Sequence, residues 1–114
     1  MSEALEQRAV VEYCDLKGIP VFHIPNGGYR NKAEAAHLKA QGVRPGVPDL
    51  CVPVAKYGYH GLYIEMKAKK NGRVSDYQAK WIALLRENGY CAYVCNGTDA
   101  AIRLLKQYMS GCVL

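Results

Sequence analysis

The chain has 114 residues, the size of one domain, and half of them are hydrophobic, which excludes a disordered polymer. No apolar run reaches the length of a membrane span, and the acidic start Met-Ser-Glu-Ala-Leu-Glu-Gln reads as no signal peptide. Fifteen Lys and Arg against ten acids give +5, a balance that points to a polyanionic partner or a solvated basic surface.

Residues 2 to about 17 read as a helix, with Ser2 as cap and Glu3 and Glu6 favouring the first turn. Leu5, Ala9, Tyr13 and Leu16 recur at helical spacing and are expected to form its packed stripe, with Glu6 bordering it. Gly18 ends the helix. Ile19 to Ile24 is β-like, and Pro25-Asn26-Gly27-Gly28 forces a turn or open loop. Tyr29, Arg30 and Lys32 follow, an aromatic and two cations suited to base and phosphate contact. A small helix from Lys32 to Gln41, capped by Asn31, leads to the stiff connector Arg44-Pro45-Gly46-Val47-Pro48.

Two core strands come next. Leu50 to Val54 follows Asp49, and Leu62-Tyr63-Ile64-Glu65-Met66-Lys67 follows a hairpin-like turn. Alternation along the second strand sends Tyr63, Glu65 and Lys67 to one face. A polar loop with Lys69, Lys70 and Arg73 precedes a helix opened by Ser75-Asp76-Tyr77-Gln78 and running to about Asn88. It places Tyr77, Trp81 and Leu84 on one row, core by default, and Gln78, Ile82 and Leu85 on the next. Tyr90 to Cys95 is a third core strand. Thr98 is read as the cap of a last helix with Ala101, Leu104, Leu105 and Tyr108 inward. The order α, β, α, β, β, α, β, α implies a small sheet flanked by helices.

The five cysteines show no Cys-x-x-Cys pair and read as free core thiols in a reducing compartment, and no histidine has metal-ligand spacing, though His23 lies near the acids. Acids at the ends of core strands are costly without partners, and a divalent cation is a natural one. Glu65 and Lys67 alone also fit a same-face ion pair, and Ser75-x-x-Gln78 alone fits a capping box.

Taken together, Gly42-Val43-Arg44-Pro45-Gly46-Val47-Pro48-Asp49-Leu50, Ile64-Glu65-Met66-Lys67 and Ser75-Asp76-Tyr77-Gln78, with His23-Ile24-Pro25-Asn26-Gly27-Gly28 before them, resemble the VRR-NUC family of the PD-(D/E)xK nuclease superfamily. The resemblance runs from Glu3 to about Tyr108 and is strongest, in length, to stand-alone phage-type members similar to Holliday-junction resolvases. It implies an α/β fold, a small central mixed sheet flanked by helices with a restriction-endonuclease-like αβββαβ core, over residues 1–114 as a single nuclease domain. It implies a metal-dependent, structure-selective DNA endonuclease acting on branched DNA such as four-way junctions, as a cytoplasmic homodimer without membrane attachment. A non-selective nicking or flap nuclease and a non-cleaving nucleic-acid-binding module are the alternatives.

The resemblance also implies roles. Asp49 and Glu65 are the metal-binding acids for Mg²⁺ or Mn²⁺, with the Met66 backbone carbonyl as a further oxygen. Lys67 is the catalytic lysine and Gln78 the glutamine of the following helix. An acid of the first helix completes the site. Glu6, directly or through a water, is preferred and Glu3 is the second choice. Asn26, Arg30, Lys32, Arg44, Lys69, Lys70 and Arg73 are assigned to DNA binding.

Overall fold

The computed structural model describes residues 1–25 and 31–111. The elements are α1 (Glu3–Lys17), β1 (Phe22–His23), α2 (Lys32–Ala40), β2 (Leu50–Val52), β3 (Leu62–Lys67), α3 (Asp76–Glu87), β4 (Cys91–Asn96) and α4 (Thr98–Ser110). The strands form one mixed sheet in the order β1-β2-β3-β4, the first two pairings antiparallel and the third parallel. A parallel pair needs a crossover, and α3 provides it between β3 and β4. This is the α/β fold with a small mixed sheet flanked by helices that the element order implies.

The period-2 alternation of β3 divides the molecule. Leu62, Ile64 and Met66 are fully buried against the cluster that contains Val10 and Cys14 of α1 and Leu104 and Leu105 of α4. Tyr63, on the other face, packs with Ala92 and with Ile82 and Leu85 of α3. Helices α1 and α4 therefore cover one side and α3 the other. Glu65 and Lys67 belong to the α3 side, at the end of the strand that α3 does not fill with apolar side chains.

The last helix buries the four residues that its spacing predicts, Ala101, Leu104, Leu105 and Tyr108. Its cap differs from the expectation. Gly97 (φ 91°) is the N-cap, and Thr98 lies inside the helix with its hydroxyl directed at Glu6. The stripe of α1 is also rotated from the expected one. Glu6, Val10 and Cys14 face the core, while Leu5 is 51% and Leu16 86% exposed. On α3, Ile82 and Leu85 are buried, but Tyr77 and Leu84, expected inside, are exposed. Both helices bury the neighbouring i, i+3/i+4 row, because the long-range partner and not hydrophobicity alone sets the rotation.

Cys14, Cys51, Cys91 and Cys95 are buried free thiols. Burial pushes Cys14, Cys91 and Cys95 up to about 11, so they are poor nucleophiles and ligands at neutral pH.

Candidate active site

Asp49 sits where the connector after α2 enters β2. Its backbone carbonyl accepts the Ile24 N–H at 2.7 Å. Its carboxylate Oδ2 accepts the Met66 N–H at 2.8 Å, across the β2–β3 pair. One main-chain oxygen and one side-chain oxygen are thus each held by a backbone N–H, and the Met66 N–H orients the carboxylate.

Glu65 is 2% exposed. A lone carboxylate at that depth is strongly disfavoured in its charged form. Burial comes first, then the Asp49 charge and a hydrogen bond shared with Asp49, and together they push its carboxyl up to about 8; Lys67 opposes this and Glu3 adds to it. Lys67 Nζ lies 3.6 Å from Glu65 Oε2. The same oxygen accepts from Gln78 Nε2 at 3.0 Å.

Gln78 makes two sets of contacts, one to the start of its own helix and one to Glu65. Its Oε1 accepts the Ser75 N–H at 2.9 Å, and its own N–H donates to Ser75 Oγ at 3.2 Å, closing a capping box at the start of α3. The other end of the same amide reaches Glu65. The helix start is held close by Gly46 (φ +89°), where a Cβ would stand 2.5 Å from the Tyr77 carbonyl carbon and 2.7 Å from the Gln78 nitrogen. Only glycine permits this approach of connector to helix.

Among the described residues, the acids that come together are Glu3, Asp49 and Glu65, with one carboxylate oxygen from each within 4.8 Å of the others. Glu3, the second choice from the sequence, is thus the α1 acid beside Asp49 and Glu65, and the preferred Glu6 lies elsewhere. Glu6 is buried one turn further along α1, and its Oε1 accepts the Thr98 hydroxyl at 2.7 Å. Its backbone carbonyl also accepts that hydroxyl, at 3.1 Å. A Cβ on Gly97 would lie 2.8 Å from Glu6 Oε2. The Glu6 carboxylate thus rests against the N-terminus of α4, where a negative charge is favoured, and it ties α1 to α4.

Of the residues assigned to DNA, Lys32, Arg44, Lys69, Lys70 and Arg73 are exposed, and Asn26 and Arg30 lie outside the described residues. Arg44 Nη1 donates to the Lys39 carbonyl at 2.8 Å, closing the C-terminal end of α2.

Residues 2–99 match the VRR-NUC domain family. The chain belongs to the VRR-NUC family. It carries a nuclease fold of the PD-(D/E)xK type. A solved VRR-NUC domain protein is 32% identical and superposes with a TM-score of 0.84, covering 96% of this chain and 89% of its own. A second solved structure, described as a VRR-NUC domain, is similar in fold, with a TM-score of 0.64 at 19% identity over 95% of this chain and 99% of its own. No curated protein matches the chain. Among the described residues of this VRR-NUC chain, no helix is long and apolar enough to cross a membrane.

Of two further neighbours of the site, the sequence points to one. Gln7 of α1 and the ring of His23 meet beside Asp49, and His23 Nδ1 lies 2.8 Å from the Asp49 carbonyl. His23 stands out only as a histidine near the acids, and Gln7 carries no signal beyond its place one turn after Glu3.

Proposed function

We propose that the chain is a divalent-metal-dependent DNA endonuclease that selects branched DNA, such as four-way junctions, in replication, repair or recombination. The observation that carries this reading is the meeting of carboxylate oxygens from Glu3, Asp49 and Glu65 beside the Lys67 ammonium.

The donor set fits Mg²⁺ or Mn²⁺. It consists of hard oxygens, and burial first and the Asp49 charge second push Glu65 up to about 8, both of them costs of the carboxylate that a bound dication offsets. Asp49, Glu65 and Glu3 would hold the ion, with the Met66 carbonyl as a further oxygen. Bound there, such an ion supplies Lewis-acid polarisation of a phosphoryl oxygen and a more acidic water.

The remaining chemistry belongs to the chain. The Lys67 ammonium orients the attacking water and stabilises charge that develops on the phosphoryl oxygens. Gln78 keeps the Glu65 carboxylate turned into the site from a fixed helix start. Lys32, Lys69, Lys70 and Arg73, with Asn26, Arg30 and Arg44, contact neighbouring phosphates, which gives binding that is sequence-independent and salt-sensitive. Symmetric cuts in two strands of a four-way junction need two sites at fixed separation, so the proposed assembly is a homodimer, working in the reducing cytoplasm that free thiols suit.

The test is cleavage of a four-way junction, a flap and a linear duplex with Mg²⁺ or Mn²⁺. The expected result is metal-dependent cutting of the junction at least about tenfold faster than of the duplex, a barrier difference of about 1.4 kcal/mol. Equal rates on all three would remove the branch selectivity. Binding without cutting of any substrate by either metal would overturn the enzyme.

A further inference from the structure

We infer that His23 and Gln7 are positioning residues for the candidate metal centre: they lock the α1 acid and the β2 acid at one spacing. The inference rests on the metal-centre reading above and concerns how the chain presets it.

The geometry begins with a protonation argument. His23 Nδ1 lies 2.8 Å from the Asp49 carbonyl oxygen and 3.1 Å from Gln7 Nε2. A carbonyl only accepts, so Nδ1 carries a proton and donates to Asp49. An amide NH₂ cannot then donate to that nitrogen. The Gln7 amide makes this contact through Oε1, turned by half a rotation, since the two ends of an amide are interchangeable in shape. The proton on Nδ1 is shared between the Gln7 oxygen and the Asp49 carbonyl.

The consequence is a three-part tie. Asp49 receives His23 Nδ1–H and Ile24 N–H on its carbonyl and Met66 N–H on Oδ2. Gln7 is four residues after Glu3, so both lie on the same side of α1. The Gln7–His23 contact therefore turns that side of the helix toward Asp49. Glu3 is exposed, in the first turn of its helix, and yet its carboxylate reaches within 4.8 Å of the other two acids. Glu6 on Thr98, and Val10 and Cys14 in the core, hold α1 one turn or more beyond Glu3, while the Gln7–His23 contact runs from the Glu3 side of the helix to Asp49.

The test measures Mn²⁺ affinity of the full chain by paramagnetic resonance of the free ion, with thermal unfolding of the metal-free protein alongside. His23→Asn keeps a nitrogen donor where Nδ1 stands, His23→Gln moves it outward, and His23→Ala removes it. The expected result is about tenfold weaker Mn²⁺ binding for H23A and H23Q, with H23N close to wild type and similar metal-free unfolding midpoints for H23A and H23N. Gln7→Ala is expected to weaken Mn²⁺ binding as well. Should H23A fail to fold, H23N against H23Q makes the same comparison. Wild-type binding with H23A or H23Q unchanged, or with H23N as weak as H23A, overturns the role of His23; an unchanged Q7A overturns that of Gln7. Absence of Mn²⁺ binding by the wild type overturns the metal centre itself and this inference with it.

Discussion

Gln78 joins a helix cap to a buried acid: its Oε1 accepts from Ser75 N–H at 2.9 Å while its Nε2 donates to Glu65 Oε2 at 3.0 Å. The two roles separate by substitution. Ser75→Ala removes the hydroxyl cap and is expected to cost about 1 kcal/mol of stability with catalysis largely kept. Gln78→Ala loses the cap and the Glu65 contact, so it is expected to cost a similar amount of stability and in addition to lower kcat by about tenfold or more. Urea unfolding and single-turnover cleavage of both variants check this; equal activity of the two would remove Gln78 from the site.

Gly46 controls whether that contact can form. Its φ of +89° and the 2.5 Å approach to the Tyr77 backbone leave no room for a Cβ. Gly46→Ala is expected to destabilise by about 1–3 kcal/mol, from the left-handed backbone and the displaced helix start together. Activity should fall along with stability. Denaturant midpoints compared with wild type give the answer, and an unchanged midpoint would show that the connector and α3 separate freely.

Glu3 and Glu6 differ by one helical turn and are expected to differ in kind. Glu3→Gln should leave stability within about 0.5 kcal/mol, as for most exposed substitutions, and weaken Mn²⁺ binding. Glu6→Ala removes the carboxylate that accepts from Thr98 and rests on the α4 N-terminus, leaving the hydroxyl with the Glu6 carbonyl alone, so it should destabilise by about 1–2 kcal/mol, with metal binding retained by the folded fraction. Calorimetric unfolding with and without Mn²⁺ separates the two patterns.

These two acids also show where sequence reading reaches its limit. The stripe of α4 is legible because Ala101, Leu104, Leu105 and Tyr108 are apolar and all of them pack. The stripe of α1 is not, because its buried row contains Glu6, whose partner Thr98 is 92 residues away. Asp49, Glu65 and Lys67 are legible because strand alternation and a two-strand spacing place them, and the structure brings them together at one end of the sheet. His23 contacts a backbone carbonyl and Gln7 contacts the His23 ring, and no side-chain pattern encodes such contacts. For Gln78 the capping and site readings compete on paper, yet an amide has two ends and satisfies both.

The raised Glu65 carboxyl makes stability depend on pH. In the folded chain it holds its proton up to about 8, against 4.5 for an ordinary glutamate. Between those values the folded state binds more protons than the unfolded one, so metal-free stability is expected to fall as pH rises from about 5 to 8. Mn²⁺ must displace that proton, so its stabilising effect should grow over the same range. Melting curves at pH 5.5 and 8, with and without Mn²⁺, test this. Glu65→Gln should flatten the metal-free dependence.

Lys67→Ala is expected to abolish cleavage while DNA binding at low salt changes by less than about 1 kcal/mol, because many rim cations share the phosphate contacts. Gel-shift titration beside a cleavage assay distinguishes this from a lysine that only binds.

The central claim is that Glu3, Asp49 and Glu65 form one cation site. Anomalous diffraction from crystals soaked in Mn²⁺ tests it most directly. The account predicts a peak within bonding distance of carboxylate oxygens of Glu3, Asp49 and Glu65. A Mn²⁺ peak bound elsewhere, or ligated by Glu6 in place of Glu3, would contradict it.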